Sequence, residues 1–112
     1  MQIPPKPELI PLEFSKLMKW YNKNKKRYNT VVVASYFHTA FEGIHPFVDF
    51  NGRTGRLLLN FILLKNRFPA IDIRNRNRIE YHKAIKYAIK ESNLKPFVNL
   101  VIEYIKEISN FV

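Results

Sequence analysis

The side chains best suited to chemistry are concentrated in one short run of the sequence. It contains a histidine, a carboxylate, an Asn-Gly pair and two arginines, in the order His45, Asp49, Asn51-Gly52, Arg53 and Arg56. An Asn-Gly pair directly before a predicted helix exposes backbone N–H groups at the positive end of the helix dipole, where anions bind. Arg53 and Arg56 are three residues apart, so they share a helix face and can bind the same polyphosphate. The spacing predicts a site for a phosphorylated ligand.

Two further residues of the run could act on such a ligand. Asp49 lies just upstream of the predicted anion site and could hold Mg²⁺, which typically binds one or two carboxylates together with substrate phosphates. His45 lies at the other end of the loop and could accept a proton from an attacking hydroxyl near neutral pH. A base, a metal carboxylate and two phosphate-binding arginines are what transfer from a nucleotide requires.

The alternative interpretation is a polar loop with a capping asparagine and two solvent-facing arginines. Asn51 alone fits an ordinary helix cap, and Arg56 alone fits an ordinary surface charge. The combination within one run favours the functional interpretation.

The run resembles the signature of the Fic family, H-x-F-x-[D/E]-G-N-G-R-x-x-R, and differs from it at one position. The resemblance extends over nearly the whole chain. It includes the proline-rich lead-in, the helix around Trp20, the helix end before His45, the apolar helix after the run and the start of the last helix, at residues 4–7, 20–22, 40–44, 57–60 and 95–97.

This resemblance implies a protein adenylyltransferase (AMPylator), which transfers AMP from ATP to a Ser, Thr or Tyr hydroxyl of a target protein. His45 would deprotonate the hydroxyl for attack on the α-phosphate, with pyrophosphate leaving. Asp49 would hold Mg²⁺ between the α- and β-phosphates. The implied partners are therefore ATP and a target protein that the sequence does not identify.

The resemblance also assigns roles to the other residues of the run. Phe47 would point into the core and anchor the loop. Asn51 and the backbone near Gly52 would form the anion hole. Arg53 and Arg56 would contact the β- and γ-phosphates.

One residue departs from the family signature. Phe50 stands where the family has glycine, at a position where the backbone approaches phosphate closely. We therefore expect Phe50 to reduce nucleotide binding or activity, and a non-catalytic nucleotide-binding remnant is the alternative function. The related Doc kinases carry lysine where this chain has Gly52, so this glycine favours AMP transfer over phosphate transfer.

Two segments found in many family members are not recognised in the sequence. No stretch matches the inhibitory helix pattern Ser/Thr-x-x-x-Glu-Gly/Asn, and the chain begins where a hairpin flap normally ends. The expectation is one Fic core domain over residues 1–112, with a proline-rich lead-in at 1–7 and neither the flap nor the inhibitory helix.

Helical spacing of apolar residues predicts the elements that position this run. Five helices are expected, at 8–24, from Thr30 to Gly43, at 52–66, at 77–90 and from Pro96 onward. No convincing pair of strands is found. The chain therefore reads as a single all-α bundle of about five helices, with the active-site loop between the second and third.

Some details of these helices are also predicted. Thr30 is expected to cap the second helix, and Gly43 is expected to end it. The third helix is apolar on nearly all sides, which is typical of the buried centre of a bundle. Phe68-Pro69 should end that helix, and residues 70–73 should form an extended connector.

Composition limits the remaining possibilities. The 112 residues include no cysteine, which excludes disulfides and thiolate metal sites, and the three histidines show no metal-ligand spacing. The net charge of +10 suits phosphates, so a nucleic-acid-binding module is the less favoured alternative. No signal peptide or membrane-spanning run is recognised, so a cytoplasmic protein without membrane contact is expected. A homodimer is compatible with the sequence.

Overall fold

The computed structural model describes residues 6–44, 51–73 and 78–109. After a short 3-10 turn at Pro7–Leu9, these residues form five α-helices: α1 at Ile10–Asn24, α2 at Thr30–Ile44, α3 at Asn51–Lys65, α4 at Arg78–Glu91 and α5 at Lys95–Ser109. All regular structure within these ranges is helical, which confirms the predicted all-α bundle of five helices. No helix in these ranges is both long enough and apolar enough to cross a membrane.

The second helix, α2, is the centre of the bundle. It packs against α1, α3, α4 and α5, and its buried side chains lie on every face: Val31, Val33, Ala34, Ser35, Phe37, His38, Thr39, Phe41 and Ile44. A helix buried on all sides shows little amphipathic pattern, because every face meets another element.

The prediction that α3 is the buried centre is wrong. Leu59 and Leu63 are fully buried against the core, but Leu57, Phe61 and Leu64 are 66%, 60% and 57% exposed. The exposed three follow one another at helical spacing of four and three residues, so they share one face of α3. None of the described helices covers that face. Apolar composition alone could not show which of two equally apolar helices has neighbours on all sides.

The start and end of α2 also differ from the sequence-based expectation. Thr30 is the first helical residue rather than the cap, because the side chain of Asn29 accepts the backbone N–H of Val32 at 3.0 Å. Asparagine is a strong N-cap residue for this reason. Gly43 does not end the helix, which continues to Ile44, and Gly43 has no positive φ.

The C-terminal end of α3 is closed by its backbone and by one side chain. Phe68 donates its N–H to the Leu63 carbonyl at 2.9 Å, while Arg67 takes a left-handed φ of 68°. This is the Schellman arrangement, so the helix ends before the Phe68-Pro69 pair that was predicted to end it. Asn60 then exchanges two hydrogen bonds of 2.9 Å with the backbone of Ile71. The predicted extended connector at 70–73 is thereby fixed across α3, with Ile71 and Ile73 buried.

Besides Arg67, one more non-glycine residue of the described ranges has a left-handed φ, and it lies in the turn between α4 and α5. Ser92 has a φ of 52°, and the side chain of Asn93 accepts the N–H of Lys95 at 3.0 Å. The last helix therefore begins at Lys95, one residue before the Pro96 that was predicted to open it. Proline is well tolerated in this first turn because the N–H it lacks would have no helical partner there.

Candidate active site

The predicted site residues divide between the described and the undescribed parts of the chain. The loop at 45–50 lies outside the described residues, so the placement of His45, Phe47, Asp49 and Phe50 stays a prediction. Asn51 is the first residue of α3, and only its backbone is described. The structure describes Gly52, Arg53 and Arg56 in full, in the first two turns of α3. Residues 45–50 therefore lie in the chain between the described end of α2 and the start of α3.

The first turns of α3 have an unusual charge distribution. No acidic residue lies in the first turn, whereas two arginines follow within the first six residues of the helix. Cations near a helix N-terminus face the positive end of the helix dipole, which is unfavourable in the absence of an anion. The backbone N–H groups of the same turn are also without helical partners. All three features favour a negatively charged ligand at this place.

The side chain of Arg56 turns back toward this first turn. A Cβ at position 52 would lie 3.1 Å from Nη1 of Arg56, so the guanidinium lies directly against the backbone of Gly52. Its other side faces α4, where Cζ lies 6.0 Å from the centre of the Tyr81 ring. Arg56 is half-buried and Arg53 is exposed. The two arginines are therefore on the same two turns but in different surroundings.

Behind Arg56 lies a buried polar pair that sequence reasoning missed. Nε2 of His38, on α2, lies 2.7 Å from the hydroxyl of Tyr81. His38 is 0% exposed and Tyr81 is 2% exposed. The His38 ring also stacks on Phe97 with ring centres 5.3 Å apart. From the sequence, His38 was noted only as one of three histidines without metal-ligand spacing. Its position seven residues before His45, on the helix that leads to the predicted site, was the signal that could have indicated proximity to the site.

Helix α3 approaches this pair closely at Gly55. A Cβ at position 55 would lie 2.8 Å from Oε1 of Glu42, 3.0 Å from Cε1 of His38 and 3.1 Å from its Nδ1. Such distances are shorter than normal contacts, so the missing side chain lets α3 lie directly against the polar face of α2. The start of α3, and with it Arg56, is thereby fixed relative to His38.

The pKa values of both buried groups are shifted toward their neutral forms. Burial lowers the pKa of His38 to about 4, with the nearby charge of Arg56 acting in the same direction and the Gly55 backbone opposing it. Burial raises the pKa of Tyr81 to about 12, assisted by the negative charge of Glu42 and opposed by a hydrogen bond from Arg56. At neutral pH, therefore, His38 is a neutral imidazole and Tyr81 is a neutral phenol.

Positive charge continues from Arg56 onto the exposed side of α4. The pKa of His82 is lowered by partial burial and by the positive charges of Arg78, Arg56 and Lys86. Arg56 and Arg78 lie at the starts of α3 and α4, and Lys86 lies further along α4, so the region around His82 has a positive potential. Such a potential attracts phosphates and other anions.

The described residues alone do not provide a metal site. No group of three or more His, Cys, Asp or Glu side chains that could hold a metal ion occurs at 6–44, 51–73 or 78–109. Asp49, the carboxylate predicted to hold Mg²⁺, lies outside these ranges. One carboxylate in the sequence just before the predicted phosphate site would fit the donor set of Mg²⁺, which takes its remaining ligands from phosphates and water.

Comparison with known proteins identifies relatives of this chain. The model of the Fic/DOC family matches residues 1–63, more than half of the chain. A protein adenylyltransferase Fic of Drosophila persimilis is 33% identical over 102 residues, which is 90% of this chain and 20% of that protein. A probable protein adenylyltransferase of Aquifex aeolicus is 41% identical over 85 residues, covering 76% of this chain and 26% of that protein. The chain thus spans only a fifth to a quarter of these relatives.

Solved structures show the same fold. A Fic domain containing signaling protein from Bacteroides thetaiotaomicron superposes with a TM-score of 0.85 at 28% identity, over 91% of this chain and 44% of that one. Fic-1 from C. elegans superposes with a TM-score of 0.82 at 30% identity, over 94% of this chain and 32% of that one. The sequence run, the helical bundle and these matches together show that the chain belongs to the Fic/DOC family.

Proposed function

We propose that residues 1–112 are the core domain of a protein adenylyltransferase, which moves AMP from ATP to a hydroxyl of a target protein. The observation that carries this proposal is the start of α3, where two arginines face the positive end of a helix with no acidic residue in its first turn. That charge distribution favours a bound anion, and a polyphosphate supplies several charges to one site. Curated relatives of this chain bear the name protein adenylyltransferase.

In the proposed reaction the hydroxyl oxygen of the target attacks the α-phosphorus of ATP. A new P–O bond forms, the bond to the β-phosphate oxygen breaks, and pyrophosphate leaves. His45 would accept the hydroxyl proton, which makes the oxygen a better nucleophile. Arg53, Arg56 and the backbone at Asn51 and Gly52 would bind the phosphates. Asp49 would hold Mg²⁺, which would offset phosphate charge.

The two remaining motif positions affect the loop itself. Phe47 would anchor it in the core, and Phe50 would limit how closely its backbone approaches the phosphates. If Phe50 disables the reaction, the chain is the non-catalytic nucleotide binder that was the alternative function. This second candidate differs from the first in one step only, the transfer of AMP.

Label transfer from ATP tests the proposal directly. The chain is incubated with Mg²⁺, α-labelled ATP and cell lysate, next to a His45→Ala variant. We expect labelled protein bands with the parent and a loss of about 10²- to 10⁴-fold with the variant, the usual contribution of a general base. Calorimetric titration with Mg-ATP should give similar affinities for both proteins, since His45 would contact the nucleophile and not the phosphates.

The other outcomes separate the alternatives. ATP binding without any label transfer would support the non-catalytic binder. No ATP binding, together with salt-dependent binding of nucleic acid, would support the nucleic-acid module. Equal transfer by parent and His45→Ala would show that His45 is not the base.

A further inference from the structure

One arrangement of protons links Arg56, Tyr81 and His38 in a chain of hydrogen bonds, with Nε2 of His38 as the final acceptor. The Arg56 guanidinium lies beside Tyr81, with Cζ 6.0 Å from the ring centre. Because arginine has donors and no acceptor, a hydrogen bond between them, which would lower the pKa of Tyr81, runs from Arg56 to the Tyr81 oxygen. The hydroxyl proton of Tyr81 is then available to His38, whose Nε2 lies 2.7 Å away. Nε2 can accept it only if His38 is neutral with its proton on Nδ1. Burial of His38 keeps the ring neutral at physiological pH.

The three residues come from three different helices. His38 is on α2, Arg56 is on α3 and Tyr81 is on α4. His38 and Tyr81 are almost completely buried, whereas Arg56 is half-buried with its guanidinium against Gly52. A long arginine side chain at a surface has many rotamers, and fixing it in one of them costs free energy each time a ligand binds. A buried partner that orients the guanidinium beforehand removes part of that cost.

We propose that Tyr81, held by His38, is a positioning residue that fixes the Arg56 guanidinium over the first turn of α3 before a phosphate ligand binds. The phosphate ligand is that of the proposed adenylyltransferase, so this inference rests on the proposed function. His38 and Tyr81 do not touch the ligand in this arrangement. They act through Arg56 alone, and this separates them from residues that contact a nucleotide.

The first test needs no nucleotide. The Nε–Hε signals of the arginines are recorded by ¹⁵N NMR for the parent, for Tyr81→Phe and for Arg56→Ala. The signal that is missing from the Arg56→Ala spectrum is assigned to Arg56. We expect the parent signal of Arg56 to stand apart from those of exposed arginines and to move to their position in Tyr81→Phe. An unchanged Arg56 signal in a folded Tyr81→Phe protein would overturn the proposal, whether or not the chain binds ATP.

The second test is a double-mutant cycle on Mg-ATP and AMP affinity. Tyr81→Phe should weaken ATP by about five- to tenfold, the range expected for one hydrogen bond. It should change AMP by less than about twofold, because Arg56 is assigned to the outer phosphates. In an Arg56→Ala background, Tyr81→Phe should have no further effect on ATP, since residues that act through one another are not additive. Additive losses, or equal losses for ATP and AMP, would contradict positioning through Arg56.

Variants of His38 provide the check if Tyr81→Phe does not fold. His38→Gln keeps an acceptor for the Tyr81 hydroxyl, whereas His38→Leu removes it. The ATP affinity of His38→Gln should stay within about twofold of that of the parent. The ATP affinity of His38→Leu should fall by as much as that of Tyr81→Phe. Equal affinities in the two folded variants would overturn the part assigned to His38. If the parent binds no Mg-ATP, the proposed function is wrong, and the NMR comparison still decides where Arg56 is held.

Discussion

The two ends of α3 use polar contacts for different purposes. At the N-terminal end, Tyr81 and His38 from other helices lie behind Arg56, a cation that faces the positive end of its own helix. At the C-terminal end, the side chain of Asn60 hydrogen-bonds both backbone groups of Ile71. The contacts at the C-terminal end satisfy backbone groups, and the contacts at the N-terminal end hold a charge in an unfavourable place.

This difference separates stability from function within one helix. Pairing a buried backbone group stabilises the fold whether or not a ligand is present. Holding a cation at a helix N-terminus lowers stability unless an anion binds. We therefore expect substitution of Asn60 to change unfolding and leave ATP affinity alone, and substitution of Arg56 to do the reverse.

The largest effect on stability is expected from Asn60→Ala. It leaves the N–H and the carbonyl of Ile71 without their partners, and each unsatisfied half-buried group costs about 1–3 kcal/mol. We expect a loss of about 2–4 kcal/mol in the free energy of unfolding, measured by urea denaturation. Asn66→Ala is the control at the same end, since the side chain of the exposed Asn66 donates to the Ile62 carbonyl four residues earlier in the chain. Equal losses of unfolding free energy in both variants would show that the Asn60–Ile71 hydrogen bonds contribute no more than the local Asn66 bond.

Arg56→Ala should have the opposite profile. Loss of a charge-assisted contact to the outer phosphates should weaken Mg-ATP by about 1.5–3 kcal/mol and affect AMP less. Stability should stay the same or rise slightly, because a cation is removed from the helix N-terminus. Lys65→Ala removes an exposed cation from the other end of α3 and should leave ATP affinity unchanged. Calorimetric titration with both nucleotides measures this, and equal weakening of ATP and AMP would argue against an outer-phosphate contact.

Acid should act on the N-terminal end through His38. Its pKa is about 4 in the folded protein and about 6.5 when unfolded, so the unfolded state binds more protons between these values. The folded state therefore loses stability as pH falls through this window. For such a shift the loss between pH 7 and pH 5 amounts to about 2 kcal/mol.

The matched comparison is His38→Gln, which has no group titrating in that window. The partly exposed His82 has a pKa lowered in the same direction, but it is present in both proteins and cancels in the difference. Urea denaturation at several pH values should show a steeper loss for the parent than for His38→Gln. Parallel curves would mean that His38 is protonated as easily in the folded as in the unfolded chain.

The smallest expected effect is a gain at the C-terminal end of α3. Arg67 holds a left-handed φ of 68°, which costs a side-chain-bearing residue about 1–2 kcal/mol. Arg67→Gly relieves this strain, and part of the gain is offset by the greater freedom of glycine in the unfolded chain. We expect a net gain of about 0.5–1 kcal/mol and a higher melting temperature. Arg67→Ala keeps a Cβ and should not show this gain.

The sequence by itself determined the helical class, the order of five helices and the place of the loop between α2 and α3. It did so because apolar residues at helical spacing and the turn residues between them are local signals. Local signals also predicted the extended connector and Pro96 in the first turn of α5. Membership of the Fic/DOC family was likewise readable from the run between His45 and Arg56, and the family match confirms it.

Only the tertiary structure decided which helix is the centre of the bundle and that His38 and Tyr81 lie next to Arg56. Both α2 and α3 are rich in apolar residues, and only packing shows that α2 has neighbours on all sides while Leu57 and Phe61 of α3 are exposed. His38 and Tyr81 are 43 residues apart in the chain and meet across two helices. Burial sets their pKa values, and burial is a property of the assembled bundle that residue type and spacing do not specify.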